Sequence, residues 1–197
     1  MTWDVAVSEF ARQCELPGDI RKAVDLSEAF AHGSGCAVIL LAILLSHSSR
    51  WRMVLLAGII TASSGLAANG AKAAFVRTRP NALNSAKLES SRSTDATIEF
   101  LGQGSFWSAS HRSFPSGHAA TAWGLAIALS LLYPRATVLY GVLASIASFQ
   151  RLTSGAHYPS DIMAGTAIAF LIAAGLLTLP WSCQELWRDR LMRGLHD

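Results

Sequence analysis

Residues 53–80 read MVLLAGIITASSGLAANGAKAAFVRTRP. The stretch opens with a long run free of charged residues and closes with Lys72 and Arg79 just ahead of Pro80. A transmembrane helix needs about 20 predominantly apolar residues, and small residues such as those at 62–68 let membrane helices pack closely. The stretch is therefore predicted to be a membrane helix whose end carries positive charge.

Four further apolar segments accompany this one. Together the five segments cover Ala29–Leu45, Met53–Val76, Ala119–Tyr133, Ala136–Leu152 and Ile162–Leu179. The third is short, and it reaches spanning length only if its helix starts near Pro115. The predicted fold is all-α, a polytopic membrane helix bundle with about five transmembrane helices and an N-terminal amphipathic segment.

The composition favours a membrane protein with substantial loops. Of 197 residues, 51% are hydrophobic and 15% are charged, whereas soluble domains average roughly 25% charged residues. The net charge of +3 suits an anionic partner such as phospholipid, and the sequence has no motif typical of nucleic-acid binding. Three cysteines, an odd number without metal-type spacing, predict free thiols.

The polar stretches divide the chain into regions. The predicted regions are an amphipathic segment at 1–28, a transmembrane domain at 29–181 with a polar loop at 77–114, and a C-terminal tail at 182–197. Trp3 and Phe10 could share one helical face, so the first region is either an interfacial helix or a solvated arm. Within the polar loop, residues 96–101 are predicted to form a short helix.

Polar residues gather at four helix ends that an up-and-down bundle places on one side of the membrane. These clusters read Lys72-x6-Arg79-Pro80, Pro115-Ser116-Gly117-His118 and Arg151-x5-His157-x3-Asp161. Charged residues at membrane depth are costly and tend to be functional. The three clusters are therefore predicted to converge on one site.

The first two clusters each allow a plain structural interpretation as well. Lys72 and Arg79 lie two helical turns apart and would share a face, but basic residues snorkelling at a helix end fit equally. Pro115 suits the first position of a helix. The backbone N–H groups of Ser116, Gly117 and His118 would then be free to bind an anion, although an ordinary helix start also fits.

The third cluster places a carboxylate four residues after a histidine. Asp161 could accept a hydrogen bond from His157, which would fix the imidazole tautomer and leave the other ring nitrogen free to attack. Alternatively, Asp161 simply complements the dipole of the following helix.

Taken together, the clusters suit phosphoryl transfer. Lys72, Arg79 and Arg151 supply positive charge for the equatorial oxygens, and two histidines supply a nucleophile and a proton donor. No pair of carboxylates suited to Mg²⁺ accompanies them, so neither a metal nor another cofactor is expected.

The three clusters resemble the pattern of the type 2 phosphatidic acid phosphatase family, which is related to the vanadium haloperoxidases. The family pattern is Lys-x6-Arg-Pro, Pro-Ser-Gly-His and Ser-Arg-x5-His-x3-Asp, and all three parts stand in order across 72–161. Gln150 replaces the usual Ser before Arg151, so an altered phosphate geometry is expected. The family usually has six spanning helices, against five apolar segments here.

The resemblance implies a role for each residue. His157 would attack phosphorus and form a phosphohistidine, Asp161 would orient His157, and His118 would protonate the leaving oxygen. The phosphate would be held by Lys72, Arg79, Ser116, Gly117 and Arg151. The implied activity is metal-independent hydrolysis of the terminal phosphate of a lipid phosphate or lipid pyrophosphate. The implied location is a bacterial inner membrane, with the site on the periplasmic, extracytoplasmic side.

Two other classes of function stay open on the sequence. One is a vanadate-dependent haloperoxidase-like enzyme, although the five apolar segments disfavour it, and the other is a non-enzymatic membrane protein that binds phosphate. His111 is a further candidate for contact with a head group, whereas His32, His47 and His196 are interpreted as interface or tail residues. The opposite side carries Arg50, Arg52, Arg135, Arg188, Arg190 and Arg193, which favours a cytoplasmic location for that side. The sequence predicts neither the lipid nor the oligomeric state.

Overall fold

The computed structural model describes residues 3–82, 98–100 and 112–180, and they form a bundle of α-helices. The helices are α1 (Trp3–Gln13), α2 (Gly18–Leu26), α3 (Glu28–Ala31), α4 (Gly33–Ser46), α5 (Trp51–Ala71), α6 (Gly117–Leu132), α7 (Thr137–Thr153) and α8 (Pro159–Leu177). Two short 3-10 turns, Ser48–Arg50 and Pro134–Ala136, lead into α5 and α7. Strands β1 (Phe75–Val76) and β2 (Glu99–Phe100) pair antiparallel. The helical membrane-bundle fold predicted from the sequence is confirmed.

Two helices of the described chain are long and apolar enough to cross a membrane, namely Ser48–Ala71 and Pro159–Leu177. The segments Gly18–Ala31 and Gly33–Ser46 are bent by 75° relative to each other, and they give a third span if they are counted together as one. The helix α6 has 16 residues, which is about 24 Å at 1.5 Å per residue. Fewer helices therefore reach full spanning length than the five apolar segments suggested.

The short helix α6 is the centre of the bundle, and it contacts α5, α7 and α8. Small residues make this position possible. A Cβ atom at Gly124 of α6 would lie 2.8 Å from Ser64 Oγ and 3.3 Å from Thr61 Cα on α5, so only glycine permits this approach. Large apolar side chains on the outer helices face outward, as Leu66 and Leu171 do, and such a surface suits contact with lipid.

The chain leaves the helical conformation earlier than predicted at the end of α5. Helix α5 stops at Ala71, and β1 and the bridge of Arg77 with Arg112 follow. The prediction that Lys72 and Arg79 share a helix face is therefore wrong. Asn69 and Gly70 are weak helix formers, and pairing with β2 satisfies the backbone of the segment that follows.

The polar loop and the termini differ from the predictions in part. Residues 99 and 100 form β2, so the short helix predicted at 96–101 is wrong there. Pro115 lies one residue before the N-cap Ser116 and does not occupy the first helical position. Residues 83–97, 101–111 and 181–197 lie outside the described chain, and the predicted C-terminal tail is among them.

The N-terminal helix α1 packs against α7 and α8. Ser8 and Ala11 are buried in this contact, whereas Trp3 and Phe10 are exposed. Helix α1 is therefore amphipathic. Its polar face packs on the end of the bundle where α8 begins, and its apolar side chains Trp3 and Phe10 point outward.

Candidate active site

A cavity of about 250 Å³ lies where α5 and α7 end and α6 begins. It is lined by Ala31, His32, Gly33, Asn69, Lys72, Arg79, Gly117, His118, Thr121, Arg151, Ala156 and His157. Six of the eight predicted site residues are in this lining. The other two, Ser116 and Asp161, are fully buried behind it. The structure therefore brings together all three clusters identified in the sequence.

His157 is held by the tight connection between α7 and α8. Gly155 has a φ of +65°, a left-handed conformation that favours glycine, and this turns the chain back towards α7. The N–H groups of Ala156 and His157 both donate to the Arg151 carbonyl, at 3.1 and 3.2 Å. The Gly155 carbonyl accepts from the Asn81 N–H at 3.1 Å. His157 therefore has a fixed backbone at the cavity wall.

Asp161 lies in the first turn of α8 and collects hydrogen-bond donors. Its Oδ2 accepts from Ser113 Oγ at 2.5 Å and from the Tyr158 N–H at 2.8 Å, and its Oδ1 accepts from Arg77 Nη1 at 2.5 Å. His157 Nδ1 is 3.5 Å from Oδ2, longer than an ordinary N–H···O distance of about 2.9–3.0 Å. Nδ1 thus faces a carboxylate, which leaves Nε2 as the ring nitrogen available for attack.

Arg77 and Asp4 belong to this network, and sequence reasoning missed both. Arg77 is only 3% exposed, and its Nη2 donates to Asp4 Oδ2 at 2.6 Å. Its guanidinium also lies 4.0 Å from the centre of the Tyr158 ring. Arg77 could have been noticed as a third cation beside Arg79 in the first cluster. No spacing rule connects Asp4 to residues so distant in the sequence.

The cavity carries an excess of positive charge. The pKa of Lys72 is lowered to about 8, mainly by burial and then by the neighbouring guanidinium groups of Arg79 and Arg112. Burial, and then the charge of Arg151, also lowers the pKa of Arg79. Cations that destabilise one another in an empty cavity are stabilised when an anion binds among them.

The surroundings of His157 favour the neutral imidazole, because its pKa is lowered. Burial is the main cause that lowers its pKa below the usual value, and Lys72 and Arg79 act in the same direction. The hydrogen bond and charge of Asp161 oppose the shift. A neutral imidazole has a free lone pair, which is the form a nucleophile requires.

The backbone donors at the start of α6 differ from the prediction. The Ser116 N–H donates to the Asp161 carbonyl at 2.9 Å, so it is not free to bind an anion as the sequence suggested. Ser116 Oγ accepts from the Ala119 N–H at 3.3 Å and caps the helix. Gly117 and His118 occupy the first two helical positions, whose N–H groups have no intrahelical acceptor. The candidate anion site therefore has two backbone donors.

Gln150, the departure from the family pattern, contacts Arg151 directly. Gln150 Oε1 accepts from Arg151 Nε at 2.6 Å and also from Nη2. Its Nε2 donates to Asp25 Oδ1 at 3.5 Å. Gln150 does not line the cavity, so its contact with the candidate site is made through the Arg151 guanidinium, and the expected change in phosphate geometry stays a prediction.

The bend between α3 and α4 forms one wall of the cavity, through Ala31, His32 and Gly33. Glu28 Oε1 lies 2.9 Å from Arg151 Nη2 and 3.6 Å from His118 Nε2. The ring of His32 lies 6.4 Å from that of His118. His32, interpreted from the sequence as an interface residue, lines the cavity because the chain bends there. Neither residue had a sequence signal beyond its residue type.

Other predicted residues lie elsewhere. His47 caps the far end of α4, and its interpretation as an interface residue stays a prediction. His111 and His196 lie outside the described residues, so the proposed head-group contact of His111 stays a prediction. Within residues 3–82, 98–100 and 112–180, no three His, Cys, Asp or Glu side chains are grouped to hold a metal ion.

The chain is similar to one protein family and to curated bacterial phosphatases. The family model of the PAP2 superfamily matches residues 52–185. The lipid A 1-phosphatases of Rhizobium etli and Rhizobium johnstonii are both 38% identical over 104 residues, or 53% of this chain. That match covers 40% and 38% of their respective lengths, so this chain spans well under half of these relatives.

Two solved structures share the fold. LpxE of Aquifex aeolicus superposes with a TM-score of 0.63 at 16% identity, over 91% of this chain and 97% of that chain. A PAP2-type phosphatidylglycerolphosphate phosphatase from Bacillus subtilis superposes with a TM-score of 0.58 at 19% identity, over 88% and 82% of the two chains. At these identities the likeness concerns the fold alone.

Proposed function

The chain belongs to the PAP2 superfamily, and from this we propose that it hydrolyses the terminal phosphate of a lipid phosphate or lipid pyrophosphate. The observation that carries the proposal is the single cavity that holds His157 and His118 together with Lys72, Arg79 and Arg151. The names of the Rhizobium relatives support a lipid substrate, and the apolar outer surface of the helices supports a membrane location.

In the proposed mechanism, the lone pair on His157 Nε2 attacks phosphorus while the bond to the leaving oxygen breaks. His118 gives its proton to that oxygen, and water then hydrolyses the phosphohistidine. Lys72, Arg79 and Arg151 stabilise the equatorial oxygens. Cations occupy the positions where a metal site would need carboxylates, so we propose that the reaction is independent of metal.

A panel of lipid phosphates tests this function. Purified full-length protein in detergent should release phosphate from at least one of lipid A, phosphatidic acid, phosphatidylglycerol phosphate and undecaprenyl pyrophosphate, with undiminished activity in EDTA. The proposal fails if folded protein releases phosphate from none of them. The metal-independent mechanism fails if EDTA abolishes turnover and Mg²⁺ restores it.

We propose that the cavity faces the extracytoplasmic side of a bacterial inner membrane. Arg50, Arg52 and Arg135 lie at the opposite end of the bundle, and short basic connections are typical of the cytoplasmic side. A membrane-impermeant phosphate ester should be hydrolysed by intact cells that express the protein. Hydrolysis only after lysis would contradict this orientation.

The pH dependence of kcat/KM should be bell-shaped, with an alkaline limb near pH 8. This parameter reports titrations of the free enzyme, in which burial lowers the pKa of Lys72 to about 8. Above that pH, Lys72 loses its charge and phosphate binding weakens. The acidic limb, from protonation of His157, should lie below the ordinary histidine pKa because burial lowers it. These limbs report the coupled site as a whole.

The variant Lys72→Arg separates Lys72 from the other titrating groups. An arginine stays charged throughout this range, so the alkaline limb of kcat/KM should move to higher pH while the acidic limb stays in place. An unchanged limb near pH 8 in the variant would assign that titration to another group in the cavity.

Glu28→Gln should tighten inhibition by inorganic phosphate about two- to fivefold, the size expected for a partly exposed ion pair. The Glu28 carboxylate contacts Arg151, so it would compete with a phosphate that binds to this guanidinium. Asp19→Asn is the matched control, because Asp19 pairs with Lys22 on the exposed surface of α2. Weaker inhibition in Glu28→Gln would mean that Glu28 instead orients Arg151 for phosphate.

A further inference from the structure

The helix α1 places a carboxylate next to the Asp161 network. The Asp4 side chain is 14% exposed, and its Oδ2 accepts from Arg77 Nη2 at 2.6 Å. Ser160 Oγ donates to Oδ2 at 2.5 Å, and the Ser160 N–H donates to Asp4 Oδ1 at 3.0 Å. A carboxylate is buried to this degree only when it is paired and hydrogen-bonded, so Asp4 occupies a specific binding position on the first turn of α8.

Arg77 connects this carboxylate to the one beside His157. Nη1 donates to Asp161 Oδ1 at 2.5 Å and to Ser160 Oγ at 2.8 Å, while Nη2 binds Asp4. The guanidinium group is planar, so fixing one side of the fork fixes the direction of the other. The Tyr158 ring, 4.0 Å from the guanidinium carbon, restricts it further.

We propose that Asp4 and Arg77 are positioning residues for His157, and that α1 contributes to the active site by supplying Asp4. Asp4 holds Arg77, and Arg77 holds Asp161 through Oδ1. Oδ2 is thereby left directed at His157 Nδ1. The inference rests on the proposed function, because it assigns a task to the residues behind the proposed nucleophile.

The charge balance of the network gives Asp4 a second effect. Lys72, Arg79, His118 and Arg151 line the cavity around His157 and disfavour the positive charge that the imidazole gains when its nitrogen attacks phosphorus. Behind His157, Asp161 and Asp4 contribute two negative charges and Arg77 contributes one positive charge. The network therefore carries one net negative charge, and it loses that charge if Asp4 is neutralised.

Asp4→Asn in the full-length protein tests the proposal. We expect kcat to fall about 10- to 100-fold, the range found for outer hydrogen-bond partners of metal-bound histidines. Without the Asp4 charge, Arg77 makes the surroundings of His157 more positive, so the acidic limb of kcat/KM should move to lower pH. Inhibition by inorganic phosphate should be unchanged, because Asp4 does not line the cavity. Glu9→Gln, an exposed position on the same helix, should match wild type.

Ser160→Ala provides a second variant that disturbs the network less. It removes one hydrogen bond to Asp4 and one to Arg77, and a smaller fall in kcat of about two- to tenfold is expected, with inhibition by inorganic phosphate unchanged. If Asp4→Asn does not fold, this variant decides the question. A folded Asp4→Asn with wild-type kcat overturns the proposal.

A purely structural role would give a different result. In Asp4→Asn, loss of turnover with an unshifted acidic limb, or with phosphate inhibition lost as well, would make Asp4 a structural residue and overturn the inference. The proposed function is judged separately in the same assay. Wild-type protein without phosphate release, or His157→Ala with full activity, would count against that function and not against the placement of α1.

Discussion

Replacing His157 by alanine is expected to lower phosphate release by on the order of 10⁴-fold or more, as removal of other enzymes' nucleophiles does. Among the described residues that line the cavity, His157 is the one whose ring nitrogen faces a buried carboxylate. Neighbouring cations can bind phosphate, but they cannot form the covalent intermediate. Initial rates with a lipid phosphate and with p-nitrophenyl phosphate would both measure the loss.

His47→Ala is the matched control for this variant, since His47 lies at the far end of α4, and it should retain full activity. Binding of inorganic phosphate, followed by its effect on the melting temperature, should survive in His157→Ala because Lys72, Arg79 and Arg151 remain. Near-native turnover in His157→Ala would exclude the phosphohistidine mechanism. Loss of phosphate binding would mean that the variant had lost the site itself.

Replacing His118 by alanine should have an effect that depends on the leaving group. A general acid contributes typically 10²–10⁴-fold, and a lipid alcohol leaves poorly without a proton. The loss of kcat should therefore reach about 10²-fold or more on a lipid phosphate. On p-nitrophenyl phosphate it should stay below about tenfold, because p-nitrophenolate scarcely needs the proton.

His32→Ala offers the corresponding control from within the same cavity. The two rings lie 6.4 Å apart, yet only His118 occupies the start of α6 beside the candidate backbone donors. Removing His32 should change both substrates by the same small factor. Equal and large losses on both substrates in His118→Ala would mean that His118 binds phosphate and does not act as the acid.

The convergence of the site could be predicted because it depends on helix order and spacing. Apolar segments locate the helices, their alternating direction places the ends, and the residues at those ends reach one cavity. Lys72 and Arg79 both line the cavity, although α5 ends at Ala71 and no helix connects them. The prediction therefore succeeded on the convergence of these residues in one cavity and failed on local conformation.

The supporting residues could not be predicted, for two physical reasons. Asp4 and Glu28 reach the site through the packing of α1 and the bend at His32, and neither tertiary contact leaves a periodic pattern in the sequence. The use of the Ser116 N–H by the Asp161 carbonyl depends on how closely α8 approaches α6. Residue type alone suggests that a donor is available, but only the packing decides which acceptor it meets.

The shortness of α6 has a consequence for the surrounding lipid. At about 24 Å against a hydrocarbon thickness of about 30 Å, the central helix is too short for an undisturbed bilayer. Because α6 is surrounded by α5, α7 and α8, its His118 end is bordered by protein and can lie below the level of the head groups, while α5 and α8 are long enough to cross the bilayer. On the proposed function, we expect a lipid to lower its phosphate into the cavity while its acyl chains stay in the leaflet, so that turnover depends on the chain length of the host bilayer.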